Sequence, residues 1–240
     1  MNYVHGFVAA VPTANKEAYI KFTRNTGAVL KRLGAVQAVE CWGVDVPEGK
    51  VTSFPMAVKC KADETVVFSW TLWKSKDDAN KAEAKMRAGE IPEFDFKNNP
   101  PPFDGKRLIY GGFEVVVETG SNSDDGAFIG GFVAAVPTAK KAEFIKHCKS
   151  TDEAVLKLGA VQVVECWGVD VPDGEVTSFP MAVQKKPDET VVFSWIRWRS
   201  KADAKKAESN EMPELNPETN PLPLDGSRVI FGGFEMVVNI

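Results

Sequence analysis

The stretch Gly6-Phe7-Val8-Ala9-Ala10-Val11-Pro12-Thr13-Ala14 occurs twice, returning residue for residue as Gly131–Ala139, 125 positions later. An apolar run of this kind, rich in Val and Phe and closed by proline, reads as a buried strand. Its return in mid-chain argues against reading the first copy as a cleaved leader. The same spacing carries Glu40–Pro47 onto Glu165–Pro172, Val51–Val58 onto Val176–Val183, and Asp63–Trp70 onto Asp188–Trp195. Near the end the spacing falls to 121, since Asp104-Gly105 matches Asp225-Gly226, which places a four-residue deletion in the loop before the last strand. A period this long exceeds the roughly 20–50 residues of a solenoid unit, so each copy is a whole domain. The expected division is residues 1–118 and 128–240, joined by a small, polar, Gly/Ser-rich linker over 119–127.

Within one copy, Tyr3–Val11 reads as a strand and Thr13 as the N-cap of a helix over 14–33, stopped by Gly34. Strands follow at Val36–Val46 and, after the turn Pro47-Glu48-Gly49, at Val51–Lys61 and Thr65–Trp73. Ser75 opens a second helix, with Asp78 at the capping-carboxylate position, and a Pro-rich loop over 90–103 leads to a last strand over Arg107–Val117. The order β-α-β-β-α-β, its middle β region split, is the ferredoxin-like plan, an antiparallel α+β sheet with both helices on one face. The other face carries too many large apolar residues to meet water. The second copy is its natural cover, giving two sheets packed face to face around a pseudo-two-fold axis, a pseudo-dimer within one chain.

Tyr3-Val4, Gly6-Phe7-Val8, Val39–Gly43, Asp45-Val46-Pro47, Val51–Val58, Val66–Trp70 and Phe103–Glu114 together resemble the YbaA-like family of bacterial proteins, domain of unknown function 1428. The likeness spans nearly the whole of both copies. It implies the dimeric α+β barrel fold, usually built from two chains and here fused. Relatives with that barrel include cofactor-free monooxygenases, isomerases and stress-related proteins, an analogy of fold alone. Two departures stand out. The family usually has Asp where this chain has His5 and Gly130, and the Lys of Asp104-Gly105-Lys106-Arg107 becomes Ser227 in the second copy.

A net charge of −4 and the lack of a basic block argue against nucleic acid and anionic lipid as partners. No run reaches the ~18–20 apolar residues of a membrane span. Four cysteines without a CxxC pair and two histidines leave no metal cluster, and no dinucleotide fingerprint points to a cofactor. Cys41, Cys60, Cys148 and Cys166 read as reduced thiols, which fits a cytoplasmic protein.

The candidate site residues come from shared strand faces. Glu40 and Trp42 share one face, as do Tyr110 and Glu114; the second copy repeats them as Glu165, Trp167, Phe231 and Glu235. Either these carboxylates line a cavity and serve as general acid or base, or they pair with Arg107 and Arg228 at a barrel rim. Trp70 and Trp195, with Trp42 and Trp167, form either core packing or an aromatic wall for a flat ligand. His5, the only histidine on a core strand, is either a satisfied strand residue or a general base present in one copy alone. These features point to a small-molecule-binding protein or cofactor-free enzyme. Its pocket would hold a small aromatic or quinone-like ligand, between sheet and helices or inside the barrel. A non-catalytic interaction module is the alternative.

Overall fold

Eight antiparallel strands close into one barrel in the computed structural model, which describes residues 1–121, 126–210 and 212–240. The first half supplies β1 (Tyr3–Pro12), β2 (Gln37–Asp45), β3 (Glu64–Trp73) and β4 (Ile109–Gly120). The second supplies β5 (Phe128–Pro137), β6 (Gln162–Asp170), β7 (Glu189–Trp198) and β8 (Ile230–Asn239). Each half keeps the ferredoxin-like order β4-β1-β3-β2, or β8-β5-β7-β6. The halves also join at their edges, β2 with β8 and β4 with β6, so the backbone donors and acceptors of the outer strands are paired. The helices are α1 (Lys16–Arg32), α2 (Phe54–Ala57), α3 (Lys76–Arg87), α4 (Lys141–Lys157), α5 (Phe179–Ala182) and α6 (Lys201–Glu208). The four long ones cover the outside of the barrel, and none is long and apolar enough to cross a membrane.

The barrel interior is where the two copies bury their inner sheet faces. Residues meet their own counterparts there: Phe68 stacks on Phe193 with ring centroids 4.5 Å apart, and Trp70 on Trp195 at 4.4 Å. A side chain touching its own repeat is what a pseudo-two-fold axis produces. Room for the stack comes from Gly6 and Gly131, where an added Cβ would lie 2.9 Å from the Phe193 ring and 3.0 Å from the Phe68 ring. Phe113 and Phe234 flank the stack, and Phe54 and Phe179 pack on it from α2 and α5. All six of these phenylalanines are fully buried. A pocket inside the barrel is therefore ruled out: aromatic rings fill that space.

Four local expectations change. Val51–Lys61 does not form a strand. Ser53 accepts a hydrogen bond from Met56 N (3.2 Å) and Pro55 sits in the first turn, so the chain folds into α2 and drives Phe54 into the core. Thr13 does not cap α1; its hydroxyl meets that of Thr65 (2.8 Å), and a 3-10 turn over Thr13–Asn15 leads into the helix. The four missing residues of the second copy come out of a helix, not a loop, for α3 has 12 residues and α6 has 8, one turn fewer. Finally, β4 runs on through Thr119 and Gly120, which pair with Val163 and Gln162 of β6, so the first two positions read as linker are strand. Residues 122–125 of that linker lie outside the described residues. Ser75 behaves as its sequence suggests, accepting from Asp78 N (3.2 Å) and donating to the Asp78 carboxylate (2.7 Å).

Candidate functional site

Strand alternation turns Cys41 and Cys166 into the barrel and turns Glu40 and Glu165 out, beneath α1 and α4. In the first half the space above Glu40 is full. The Tyr19 hydroxyl donates to Glu40 (2.5 Å) and lies 3.2 Å from the Ser69 hydroxyl, which itself donates to Glu40. Trp42 and Phe103 pack against this phenol, Phe22 packs on Phe103, and Phe96 lies beyond Phe22. Burial raises the Glu40 carboxyl from its ordinary 4.5 to about 7, against the two hydroxyl bonds that favour the anion.

The second half keeps the plan and changes the filling. Tyr19 becomes Phe144, Phe22 becomes His147, Phe96 becomes Pro217 and Phe103 becomes Leu224. The result is a cavity of about 330 Å³ between α4, the sheet and the loop before β8. Its walls are mainly apolar, among them Phe132, Phe144, Val163, Ile196 and Leu224. Its polar end holds Glu165, to which Ser194 donates, with the Cys148 thiol beside it. Asp152, 2% exposed, stands where the first half has Gly27; the Thr119 hydroxyl lies 3.5 Å from its carboxylate. Burial raises both carboxyls, and the Asp152 charge raises Glu165 further, so the pair favours holding a proton at neutral pH. At the other side, Asn220 donates its amide to Glu214 O (2.7 Å), which leaves its carbonyl oxygen for His147 Nδ1 at 3.1 Å. His147 therefore carries its proton on Nδ1 and offers Nε2 as an acceptor; burial holds its pKa below the usual imidazole value.

Of the residues singled out from sequence, Glu165 alone lines this cavity. Trp167 backs it, tilted against Phe144 with ring centroids 5.9 Å apart and with Lys141 Nζ 5.2 Å above its ring, as Trp42 sits behind Tyr19 beneath Lys16. Trp70 and Trp195 belong to the barrel core and form no ligand wall. Arg107 and Arg228 pair with neither Glu40 nor Glu165. Each grips a buried glutamate of the same half with both terminal nitrogens, Glu64 and Glu189, and binds Asp104 or Asp225 through Nε. Both guanidinium groups are thus engaged within their own halves. Glu114 sits on β4 opposite Tyr3 and Trp167, Glu235 is exposed on β8, and Tyr110 and Phe231 are 54% and 53% exposed. His5 lies under α3 with Nε2 3.1 Å from Glu83, two residues along β1 from Phe7, which pairs with Ser69 of the Glu40 cluster, and burial lowers its pKa. Among the described residues, no three His, Cys, Asp or Glu side chains converge as a metal ion would need. Phe144, His147, Cys148, Asp152 and Val155 escaped the strand-based reading, although their spacing of three and four places them on one face of α4.

The sequence relationships agree with this picture of two halves. The protein family described as "Protein of unknown function (DUF1428)" matches residues 2–105 and again 127–226. The chain belongs to that family. Relatives of this DUF1428 protein include the uncharacterized protein YbaA of Escherichia coli K12 and that of Shigella flexneri. Each is 47% identical over 119 residues, covering 49% of this chain and 99% of the relative. Among solved structures, a candidate monooxygenase from Fusobacterium nucleatum superposes with a TM-score of 0.63 at 11% identity, covering 99% of this chain and 93% of the other. An anthrone oxidase-like protein gives 0.56 at 13% identity, covering 100% and 92%. A candidate monooxygenase from Lactobacillus acidophilus gives 0.58 at 11%, covering 100% and 96%. At these identities the likeness is one of fold, the dimeric α+β barrel.

The Glu40 cluster yields a direct prediction for the DUF1428 protein. A carboxyl raised to about 7 in the folded state stabilises the fold fully below its ordinary 4.5 and loses that contribution as pH rises through 7. Glu40→Gln keeps an acceptor for Tyr19 and Ser69 and removes the titration. The variant is expected to be about 1–2 kcal/mol more stable than the wild type at pH 8 and to converge with it near pH 4. Urea titrations at the two pH values measure this; equal offsets at both would count against it.

Proposed function

We propose that the chain binds a small phenolic or quinone-like molecule in the cavity of the second half, with Glu165 exchanging a proton with the ring oxygen. One observation carries this reading. The first half fills the equivalent space with its own phenol, Tyr19, seated on Glu40 and Ser69, whereas the second half offers Glu165 and Ser194 to an open cavity and has no hydroxyl on Phe144. An external hydroxylated ring would restore the missing arrangement. The apolar walls support a ring, and the raised carboxyls of Glu165 and Asp152 support general acid–base chemistry. The solved anthrone oxidase-like and candidate monooxygenase structures, alike in fold, make oxidation of such a ring by dioxygen a reaction class to test. The net charge of −4 favours a small molecule over nucleic acid, and the free cysteines favour a cytoplasmic setting.

Phe144→Tyr tests the reading by supplying from within what the ligand would supply. We expect 2-naphthol at 100 times its Kd to stabilise the wild type by about 2.7 kcal/mol. The Phe144→Tyr protein should be as stable as the wild type without ligand and bind at least tenfold more weakly by calorimetry. Equal binding to both proteins would refute the site.

An interaction role has one observation in its favour: Val51, Met56, Val176 and Met181 are each 42–50% exposed where α2 and α5 meet. A stoichiometric partner lost on Met56→Glu/Met181→Glu would support that reading.

A further inference from the structure

The second half differs from the first at another place, under α6. In the first half the His5 imidazole fills the space between the sheet and α3, with its ring 5.1 Å from Tyr3, 6.3 Å from Phe7 and 6.2 Å from Trp73, and Nε2 on Glu83. The second half keeps that surround as Phe128, Phe132, Trp198 and Glu208, and lacks the filler, since Gly130 stands at the position of His5. A hollow of about 460 Å³ results, walled by those aromatic rings and Phe231, with Asp45, Lys205 and Glu208 along it; Lys205 Nζ lies 3.6 Å from the Asp45 carboxylate. This hollow and the Glu165 cavity share Phe132, Val155, Ile196 and Leu215. All four are half-buried, so they form a ridge reached from both sides rather than a sealed wall.

We propose that the hollow beneath Gly130 is the outer compartment of the same binding site, receiving the distal aromatic ring of an elongated, hinged phenolic ligand whose hydroxyl end lies on Glu165. The inference rests on the reading of the Glu165 cavity given above and extends it from a single ring to a two-ring substrate class. Four rings round a vacancy that an imidazole fills in the sister half suit an aromatic group. The ridge between the compartments requires a bend, hence a flexible joint between the ligand's two rings. The first half supplies a natural plug for each compartment: a tyrosine for the inner one and a histidine for the outer.

The plugs separate the two ideas experimentally. At Gly130 an added Cβ would lie 3.4 Å from Phe132 Cε2 and 3.9 Å from Ile196 Cβ, ordinary contacts on a backbone without positive φ, so Gly130→His fits and can reach Glu208 as His5 reaches Glu83. Calorimetry with phenol and with 4-(benzyloxy)phenol reads the outcome. The wild type is expected to bind the two-ring probe roughly tenfold more tightly than phenol, the gain expected of one further buried ring. Gly130→His should erase that gain while leaving phenol within about twofold of the wild-type affinity. Ala207→Leu, which fills the hollow from α6, should do the same and serves if the histidine variant misfolds. Phe144→Tyr should weaken both probes. A full gain retained in the folded plug variants, or no gain in the wild type, overturns the outer compartment alone. Phenol binding that ignores Phe144→Tyr, or no binding of either probe, overturns the inner site and the extension with it.

Discussion

Phe193→Ala is expected to destabilise the protein by about 4 kcal/mol. The ring is fully buried at the centre of the barrel, stacked on Phe68 at 4.5 Å and bordered by Phe113 at 5.3 Å, Phe179 at 5.8 Å and Trp195 at 6.1 Å. Truncation removes the transfer energy of a phenyl group and leaves a void that the closed barrel cannot collapse. Because the contacts with Phe68 and Phe113 cross from one half to the other, both halves should unfold together in a single urea transition at lower midpoint. A cost below about 1 kcal/mol, or two separate transitions in the wild type, would show that the halves do not share this core.

The second large effect is expected at Arg228. Arg228 is 6% exposed and its guanidinium holds Glu189, equally buried, through both terminal nitrogens, while Nη1 also donates to Gln184 O at 2.9 Å and Nε to Asp225 at 2.9 Å. Arg228→Ala strands a buried carboxylate beside two acceptors, and a loss of about 3–5 kcal/mol is expected. The guanidinium holds the Glu189 carboxyl below its usual range, so this contribution is present above the ordinary carboxylate pKa and fades as pH falls through the depressed one. Denaturation at pH 7 and pH 3 should therefore show a smaller gap between variant and wild type at the lower pH. Arg107→Ala, facing Glu64 in the first half, should behave alike. If either arginine served a ligand instead, its removal would leave the urea midpoint in place.

Much of the architecture can be read from local chemistry. The return of Gly6–Ala14 at Gly131–Ala139 marks two copies, and the apolar alternation of β3, with Phe68 and Trp70 on one face, demands a cover that the sister copy provides. Val51–Lys61 misleads because valines suggest a strand while Ser53 and Pro55 impose a helical turn, and capping prevails once Phe54 has a core to enter. The site was legible only in part. Glu165 follows from strand alternation, but the same alternation gives Trp70 and Trp195 no side, since nothing local distinguishes the face toward the sister half from the face toward the helices.

Residue identity and spacing determine by themselves the duplication, the eight strands and four long helices, and the pairing of two apolar sheets. Only the folded chain decides where space remains. Whether Tyr19 and His5 fill a hollow, and whether Phe144 and Gly130 leave one, depends on volumes that α4, α6 and the sheet bring together from distant parts of the chain. A missing hydroxyl or imidazole leaves no mark on strand periodicity; it matters only where close packing would otherwise have closed the gap.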